Sequence, residues 1–512
     1  MKKKLYTIAA LALSLFTFGG CLDVDPESDL TDQNMWKSEG TYDAFVVGVH
    51  NKLRSNAWNL FCLGEVRSDI YSTEGSAPIG GVASKVERFA KNTLDEANPG
   101  LSNYAGLYEN INQMNLFIVK TLESDVLKGS KRNYYLGEMY GMRAFYYFHL
   151  LRSWNNVVWS DQPSLGFTIG ELNRPVTEAA QIMAYIKQDI ESSLESFGTD
   201  YSFKSKAYWS KAATLMLKAE AYLWSSRQMG GGDADARTAL AALEDIRSNV
   251  SKLGLEDNFK DVFAYGNKGN KEIIFAIRYS ENAKENEMFA DNYRLNFCPD
   301  KGQIGKWYDK ETGGLFDTTV DNFHGVGYYP LNDKLFKEVF SENDTRGKAT
   351  IKPFYTKDWD YQGIIAYKYQ GTTLAGESTR KMCDDYPIYR YADLLLMVAE
   401  AKSLTGGDPT AEINAVRKRA YGAAYDEATL GYPHQAIDSD VNEAILKERF
   451  CEFVLEGKRW YDLRRFGNEY VFKYTTANSQ YPKRLIWPID RDTMVKNTDI
   501  HQTDGYETLM DR

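Results

Sequence analysis

Apolar residues at helical spacing dominate two blocks of this chain, and this periodicity constrains the fold more than any other feature. Residues 133–154 carry such positions on one face, at Leu136, Tyr140, Ala144, Tyr147 and Leu151. Phe145 and Phe148 add a second apolar line, so we expect a helix that is buried on most of its sides. A chain with such a helix must build a helical core around it.

Other helices are predicted on both sides of this one, and they indicate packing in pairs. Residues 101–122 form an apolar face, and Gly129 separates them from the helix at 133–154, which favours a helical hairpin. A second pair is predicted at 178–197 and 209–226. Small and large residues alternate on the last helix, at Ala212, Leu215, Ala219 and Tyr222. This alternation lets a neighbouring helix approach closely and indicates tetratricopeptide-like hairpins.

The second helical block lies near the C-terminus, where residues that favour caps mark the helix ends. Gly406 is predicted to stop one helix, and Asp408 to cap the next, with Pro409 at its first position. Asp440 precedes Glu443 by three residues, which is the pattern of a capping box. We therefore predict that a further helix begins there.

Residues 255–380 lack this periodicity. Gly, Asn, Asp and aromatic residues are interspersed in this region, and only short strand-like runs occur, such as residues 273–277. A long irregular excursion within a helical domain is usually functional or disordered, and the aromatic content argues against disorder. Aromatic residues make up 14% of the chain. We expect a mostly α fold with a loop-rich, aromatic-rich insertion that carries short strands.

The N-terminus predicts export and lipidation. Three lysines at positions 2–4 precede an apolar run at 5–18, and Gly-Gly-Cys follows, ending at Cys21. The apolar run is too short to span a bilayer as a helix. We interpret residues 1–20 as a lipoprotein signal peptide, Cys21 as the lipidated residue and 21–34 as an acidic tether. The alternative is an ordinary secretory signal followed by an incidental cysteine.

Composition and motifs argue against several classes of function. The net charge of −10 offers no electrostatic footprint for nucleic acid. The five histidines are scattered, and the four cysteines that follow Cys21 are far apart, so neither a metal site nor a disulfide framework is predicted. The sequence also contains no Walker loop and no GxSxG motif. We expect no metal, no cofactor and no catalytic residue.

Charged residues near the C-terminus could suggest acid/base chemistry. Carboxylates and arginines recur there at three- and four-residue spacing, at Glu448, Arg449, Glu452, Glu456, Arg459, Asp462, Arg464 and Arg465. This spacing is typical of ion pairs along packed helices. Paired carboxylates for glycoside hydrolysis would have to face each other across a cleft, and nothing in the sequence indicates such an arrangement. We predict a structural ion-pair network.

Four motifs, in the expected order, resemble the SusD/RagB family of nutrient-binding lipoproteins. They are GEMYGMRAFYYF from Gly137, YPIYRYADLLL from Tyr386, EGKRWYDLRRFG from Glu456 and LIWPI from Leu485. The last motif is expected to be strand-like. Together with Asp344-Thr345-Arg346 and the lipoprotein start, the resemblance covers essentially the whole chain.

This resemblance implies a fold and a role. Family members have a helical fold with tetratricopeptide-like hairpins, sit on the outer membrane, bind oligosaccharides and usually lack enzymatic activity. They act as a hinged lid over a TonB-dependent transporter of the SusC type. For this chain the resemblance implies a single SusD-like domain at 35–512, with a helical scaffold at about 35–254 and 381–470 and a ligand-facing region at about 255–380. We expect a surface-exposed, lipid-anchored protein that delivers oligosaccharide to a SusC-like transporter.

Exposed aromatic residues with polar neighbours are the candidate glycan contacts, because a ring can cover the apolar face of a sugar while polar groups bind its hydroxyls. In the middle region the candidates are Trp307, Tyr308, Trp359, Tyr361, Asn286, Tyr293 and Tyr328. Family members also place ligand-binding aromatics in the loop after the first helix, which implies Arg67, Asp69 and Tyr71 here. That loop has no Trp where some members use one, which argues against a starch-like specificity.

Each candidate could instead pack a loop against the scaffold, and two other functions stay open. One is a surface enzyme that processes glycans, which would release a product from the glycan it holds. The other is a helical repeat that binds protein and has no affinity for sugar, which would retain its protein partner and no glycan. The sequence alone does not identify which glycan would be bound.

Overall fold

The computed structural model describes residues 35–73, 88–100, 104–164, 173–281, 305–316, 329–377 and 380–506. Several predictions concern positions outside these ranges. The signal peptide, Cys21 and the tether lie outside the described residues, as do Asn286, Tyr293 and Tyr328. These lipid- and ligand-related predictions therefore stay predictions, and the fold is described from residue 35 onward.

Helices form most of the described chain, as the periodicity predicts. In chain order they are α1 (Glu39–Glu65), α2 (Tyr104–Leu122), α3 (Gly129–Trp154), α4 (Ala179–Phe197), α5 (Lys211–Gln228), α6 (Gly232–Asn249), α7 (Thr345–Thr350), α8 (Tyr391–Thr405), α9 (Thr410–Tyr421), α10 (Glu427–Leu430), α11 (Val441–Phe453), α12 (Arg459–Phe466), α13 (Asn468–Tyr474) and α14 (Arg491–Lys496). A π-helix at Leu335–Val339 and short 3-10 turns occur between them. Among the helices of ten residues or more, α1 and α6 were not singled out by the sequence patterns.

Helix α3 lies at the centre of the first helical block. Between Tyr135 and Trp154, every residue except Tyr140 is buried, which confirms the prediction of a helix surrounded on most sides. Consecutive helices from α2 to α6 contact one another in pairs. Two glycines of α3 allow the close approach: a Cβ on Gly137 would lie 2.8 Å from the Phe197 ring, and one on Gly141 would clash with the Trp209 indole nitrogen.

The helix caps of the C-terminal block follow the sequence closely. Gly406 ends α8 in the left-handed conformation, with φ 78°, where glycine has no steric penalty. Asp440 caps α11, since its side chain accepts a hydrogen bond from the Glu443 amide at 2.9 Å. The start of α9 is one residue later than predicted: Pro409 is the cap, and the Asp408 carboxylate accepts from the Thr410 amide.

Two antiparallel sheets accompany the helices. Strand β1 (Ile273–Ile277) pairs with β6 (Tyr386–Arg390), and a four-stranded sheet has the order β3-β2-β4-β5. Its strands are β2 (Tyr308–Asp309), β3 (Gly314–Leu315), β4 (Ile351–Tyr355) and β5 (Tyr361–Ala366). The predicted strand at 273–277 and the short strands of the middle region are confirmed. The assembly of β2 to β5 into one sheet, and the pairing of β1 with β6, were not predicted.

The late motif from Leu485 to Ile489 is not a strand, contrary to the expectation. A 3-10 turn at Pro482–Leu485 leads into an irregular segment. The Trp487 amide donates to the Ser153 carbonyl at the end of α3 (2.7 Å), and the Ile489 amide donates to the Gln502 side chain (2.7 Å). The first bond joins the segment to the end of α3 and the second joins it to the irregular C-terminal tail, and neither belongs to a strand ladder.

One large hydrophobic core joins the helical blocks, and a small second core lies under the four-stranded sheet. The large core includes the fully buried rings of Trp154, Trp209, Trp460 and Trp487. The small core consists of Phe316, Phe354 and Ile365, with Trp307 and Tyr367 packed against it. Among the helices described, none is both long and apolar enough to cross a bilayer.

Buried ion pairs hold the C-terminal helices together, as the charge spacing predicts. Arg390 is fully buried and donates to Glu272 (2.6 Å), Glu452 (2.6 Å) and Glu456 (2.8 Å). Further buried pairs join Arg449 to Asp393 and Asp462, Arg465 to Glu400, and Arg346 to Glu448. These carboxylates are engaged by arginines inside the core, which suits a structural role.

Arg464 is an exception to this network. Its guanidinium donates to the Arg152 carbonyl and lies 5.3 Å from the Trp224 ring centroid, and no carboxylate of the described residues forms an ion pair with it. Burial, aided by nearby Arg67, lowers the pKa of Arg464 to about 9. The prediction of ion pairs along these helices is therefore confirmed for the set, with Arg464 excepted.

Candidate functional site

A row of aromatic rings follows the four-stranded sheet and continues onto the π-helix. We call Tyr308, Trp359, Tyr355, Tyr361 and Phe336 the aromatic row. Neighbouring ring centroids lie 5.9 Å apart for Tyr308 and Trp359, 6.3 Å for Trp359 and Tyr355, 6.1 Å for Tyr355 and Tyr361, and 5.3 Å for Tyr361 and Phe336. The row therefore brings together residues that are up to 53 positions apart in sequence, from three strands, a turn and a helix.

Trp359 lies at the tip of the hairpin between β4 and β5. Its amide donates to the Thr356 carbonyl (3.0 Å), and its φ of 67° is in the left-handed region. A bulky side chain rarely adopts this conformation, which costs on the order of 1 kcal/mol or more. The ring is 40% exposed, so the hairpin presents a large apolar surface to solvent instead of burying it. Backbone strain combined with an exposed indole is a pattern found at ligand-binding sites.

Tyr361 and Phe336 form a parallel stack at the other end of the row. Their planes differ by 5°. The Tyr361 hydroxyl donates to the Asp333 carboxylate (2.8 Å), and burial together with this carboxylate raises the pKa of Tyr361 above its ordinary range. Phe336 is 38% exposed. The tyrosine is thus held at both one face and its hydroxyl, while part of the phenylalanine ring is open to solvent.

A cleft of about 530 Å³ opens beside the aromatic row. Phe336, Phe340 and Tyr355 supply apolar walls, and charged side chains such as Lys310 and Glu342 stand at its edge. Lys310 also lies over the Tyr355 ring, at 4.3 Å from the centroid. Rings beside hydrogen-bonding groups suit a ligand that has apolar faces and polar edges.

Trp307 does not join the aromatic row, although it is adjacent to Tyr308 in sequence. Its ring packs on Phe354 (5.5 Å between centroids) as part of the small core, and its indole nitrogen is buried. Successive residues of an extended chain point to opposite sides, which explains why Tyr308 and Trp307 have different surroundings. The structure thus brings Tyr308, Trp359 and Tyr361 together and places Trp307 below the sheet.

Arg67, Asp69 and Tyr71 are buried, and protein groups already bind their polar atoms. Arg67 donates to backbone carbonyls of the late motif, including that of Ile486 (2.8 Å), and to Asn92 (2.9 Å). The Tyr71 hydroxyl donates to a buried carboxylate of α1 (2.9 Å). In this structure the three side chains lie in the core and not on a ligand-facing surface, which differs from what the resemblance implied.

Sequence reasoning did not single out Phe336 and Tyr355. Phe336 lies in a stretch that alternates apolar and charged residues and gave no sign of an exposed ring. The π-helix that carries it supplies a signal only once the structure is known, because such turns occur often at functional sites. No group of three or more His, Cys, Asp or Glu side chains in the described part of the chain is arranged to hold a metal ion.

Comparison with known proteins identifies the family. The solved structure of a SusD superfamily protein from Bacteroides vulgatus is 43% identical, with a TM-score of 0.85, over 92% of this chain and all of the other. The chain belongs to the SusD family. The model of that family matches residues 356–506, which include the turn of Trp359 and helices α8 to α14. The helical fold with short strands is that of this family.

Two relatives among curated proteins extend the comparison. SusD-like protein P38 of Formosa agariphila is 26% identical over 97% of this chain and 98% of its own length. The starch-binding protein SusD of Bacteroides thetaiotaomicron is 31% identical over a shorter stretch, which covers 24% of this chain and 22% of that protein. The family is one of glycan-binding proteins found at the cell surface.

Proposed function

We propose that this SusD-family chain binds a glycan at the cell surface through the aromatic row and the adjoining cleft. The observation that carries the proposal is the exposed pair Trp359 and Phe336, which are large rings that pack at the two sides of buried Tyr355 and half-buried Tyr361. Rigid, exposed rings cover the C–H faces of sugars at little entropic cost.

The relatives support a sugar as the ligand, because one of them is a starch-binding protein. Neutral sugars also suit the charge balance of the cleft, where the lysines and the carboxylates are both present. We infer that the chain alters no bond of its ligand, since the C-terminal carboxylates that could suggest catalysis are engaged by buried arginines. A glycan array identifies which sugars bind to the aromatic row.

We further propose that the chain is anchored in the outer membrane through a lipid on Cys21 and acts as a lid over a SusC-like TonB-dependent transporter. The resemblance of the N-terminus to a lipoprotein signal supports the anchor. Two or more acyl chains would anchor the protein stably, whereas a single chain would bind the membrane only reversibly. In this arrangement the aromatic row only needs moderate affinity, because closure of the lid retains the glycan.

A glycan array followed by calorimetry tests the binding function. Wild-type protein should retain one class of oligosaccharide, and Trp359→Ala should weaken that affinity by about 1–3 kcal/mol, as for a central stacking contact. Tyr481→Ala is the matched control, because Tyr481 is also an exposed ring (51%) but lies after α13, outside the aromatic row. Equal affinities for wild type and Trp359→Ala would refute the proposed site.

Fractionation tests the anchor and the transport role. Wild-type protein should appear in the outer-membrane fraction and co-purify with a TonB-dependent transporter, whereas Cys21→Ser should appear among soluble exported proteins. Incubation of the pure protein with the retained oligosaccharide should leave the sugar unchanged by mass. Release of a shorter product would favour a glycan-processing enzyme, and a transporter that co-purifies while no glycan is retained would favour a protein-binding repeat.

A further inference from the structure

The segment that follows α1 supports the segment that carries Phe336. Residues 70–72 pair with residues 330–332 in an antiparallel bridge between Tyr71 and Leu331. The Ser72 amide donates to the Pro330 carbonyl and the Asn332 amide donates to the Ile70 carbonyl, both at 2.8 Å. The chain between these bonds and the π-helix is only a few residues long, so the position of the bridge constrains where the π-helix begins.

Asp69 adds a side-chain link at the start of this bridge. Its carboxylate accepts from Arg459, at 2.9 Å from Nε, and from Lys334, at 2.7 Å from Nζ. Arg459 is the first residue of α12, within the family motif, and Lys334 directly precedes the π-helix. Burial alone would raise the pKa of Asp69, but Arg459 and Lys334 together hold it below its ordinary value. One buried carboxylate thus joins the helical scaffold to the segment that carries Phe336.

The link continues from this segment into the aromatic row. Asp333, next to Lys334, accepts a hydrogen bond from the Tyr361 hydroxyl (2.8 Å), and Phe336 stacks on the Tyr361 ring. Residues 333–336 therefore contact both the buried carboxylate on one side and the ligand-facing rings on the other. A small displacement of this segment would change the angle and spacing of Phe336 relative to Tyr361 and Tyr355.

We propose that Asp69 is a positioning residue for the glycan site: through Lys334 it holds residues 333–336 so that Phe336 and Tyr361 stay stacked in the aromatic row. This inference rests on the proposed function. It assigns to Asp69 a role through other residues and not a contact with the sugar, which agrees with its burial. Because Arg459 belongs to the family motif and donates to Asp69, this role also connects that motif to ligand affinity.

Hydrogen exchange measured by mass spectrometry tests the positioning without any ligand. Asp69→Asn and Lys334→Met each weaken the link, the second while leaving the Arg459 pair with Asp69 intact. Both should accelerate exchange in peptides covering 329–340 by about tenfold, the effect of losing one charge-assisted hydrogen bond. Lys334→Arg, which keeps the charge, should restore most of the protection.

Asp393→Asn is the matched control. Asp393 is a buried carboxylate that likewise bridges two cations, Arg449 (2.7 Å) and Lys458 (2.8 Å), but both lie on or beside the C-terminal helices α11 and α12. It should lower global stability as Asp69→Asn does and leave exchange in 329–340 at the wild-type rate. Unchanged exchange in Lys334→Met, or equal acceleration by Asp393→Asn, would overturn the positioning role.

Calorimetry with the oligosaccharide that wild type retains on the array completes the test. Asp69→Asn and Lys334→Met should weaken affinity by about tenfold, and Asp393→Asn by less than about twofold. Wild-type affinity in Lys334→Met would overturn the link to binding. If wild type retains no glycan at all, the proposed function fails, and the exchange rates still decide whether Asp69 positions residues 333–336.

Discussion

The C-terminal helices bury charged side chains, whereas the four-stranded sheet exposes a large apolar ring. Arg390 on β6 is buried with three glutamates around it, so charges are removed from water where several helices must meet in one geometry. Trp359 is exposed at a strained hairpin tip, so an apolar ring is left in water. Each arrangement is unfavourable on its own. Three glutamates offset the cost for Arg390, and a bound glycan is the partner that we propose for Trp359.

This contrast separates the side chains that we expect to determine folding stability from those that we expect to determine ligand affinity. The glutamates that pair with Arg390 belong to the same chain, so removal of Arg390 should lower the free energy of unfolding. The partner proposed for Trp359 is a ligand, so loss of that ring should be felt as a loss of affinity. Asp69 lies between these two extremes, since it is buried among ion pairs but holds a segment of the ligand-facing surface.

The largest expected effect is in the scaffold. Arg390→Ala would leave Glu272, Glu452 and Glu456 with much of their charge unpaired in the core, and we expect it to lower the free energy of unfolding by about 3–5 kcal/mol. Denaturant titration measures this value. Lys381→Ala, which removes a surface pair with Glu377, should cost less than about 0.5 kcal/mol. Similar values for both variants would contradict the contrast between the two regions.

The next effect concerns close helix packing. Gly141→Ala on α3 would place a Cβ against the Trp209 indole, and we expect a loss of about 1–3 kcal/mol from overpacking. Gly48→Ala on α1 is the control, because nothing lies within 4 Å of its new Cβ, and it should gain up to about 1 kcal/mol from helix propensity. The two substitutions are chemically identical, so thermal unfolding should show shifts of opposite sign. Shifts of the same sign would argue against this packing.

Much of this scaffold could be predicted because local signals and tertiary packing agree. The helix ends at Gly406 and Asp440 follow from residues whose backbone preferences are strong. Helix α6 was missed because it begins at Gly232, within a run of three glycines, a residue type that disfavours the helical conformation. The buried ion pairs were predicted as a class, but their partners were not, since Arg390 and Glu272 are 118 residues apart.

The candidate site was less predictable, because exposure of a ring depends on contacts that are distant in sequence. Trp359 and Tyr361 were singled out as aromatic residues with polar neighbours in the irregular middle region, and the structure places both in the aromatic row. The same criterion also selected Trp307, whose ring packs against the small core, and it did not select Phe336. Which side of a short strand faces solvent is decided by its sheet partners, and these partners cannot be read from the pattern of a two-residue strand.

Glu138 offers a pH-dependent test of the scaffold. Burial raises the pKa of this α3 carboxyl well above its ordinary value, and neither oxygen has a hydrogen-bond partner among the described residues. The unfolded chain releases this proton above about pH 4.3, whereas the folded chain keeps it. The contribution of Glu138 to stability is therefore lost as the pH rises.

Glu138→Gln should consequently become more stable relative to wild type between pH 5 and pH 8, as measured by denaturant titration at both values. Asp393→Asn provides the opposite case. Burial alone would raise the pKa of Asp393, but Lys458 and Arg449 lower it below its ordinary value, so its ionised form is present at both pH values. The cost of Asp393→Asn should thus be the same at pH 5 and pH 8. A pH-independent difference for Glu138→Gln would show that its carboxyl is ionised in the folded chain.

The smallest expected effect separates two aromatic residues of the sheet region. Phe336→Ala removes an exposed ring from the aromatic row and should weaken glycan affinity by about 1 kcal/mol, or roughly fivefold, with little change in stability. Trp307→Ala removes a ring packed on Phe354 and should do the reverse, with lower stability and unchanged affinity. Calorimetry and thermal unfolding of both variants measure the two quantities side by side. If Trp307→Ala weakened affinity while Phe336→Ala did not, the ligand would bind on the other side of the sheet. The aromatic row would then not be the binding surface, and the proposed separation between residues for stability and residues for binding would be wrong.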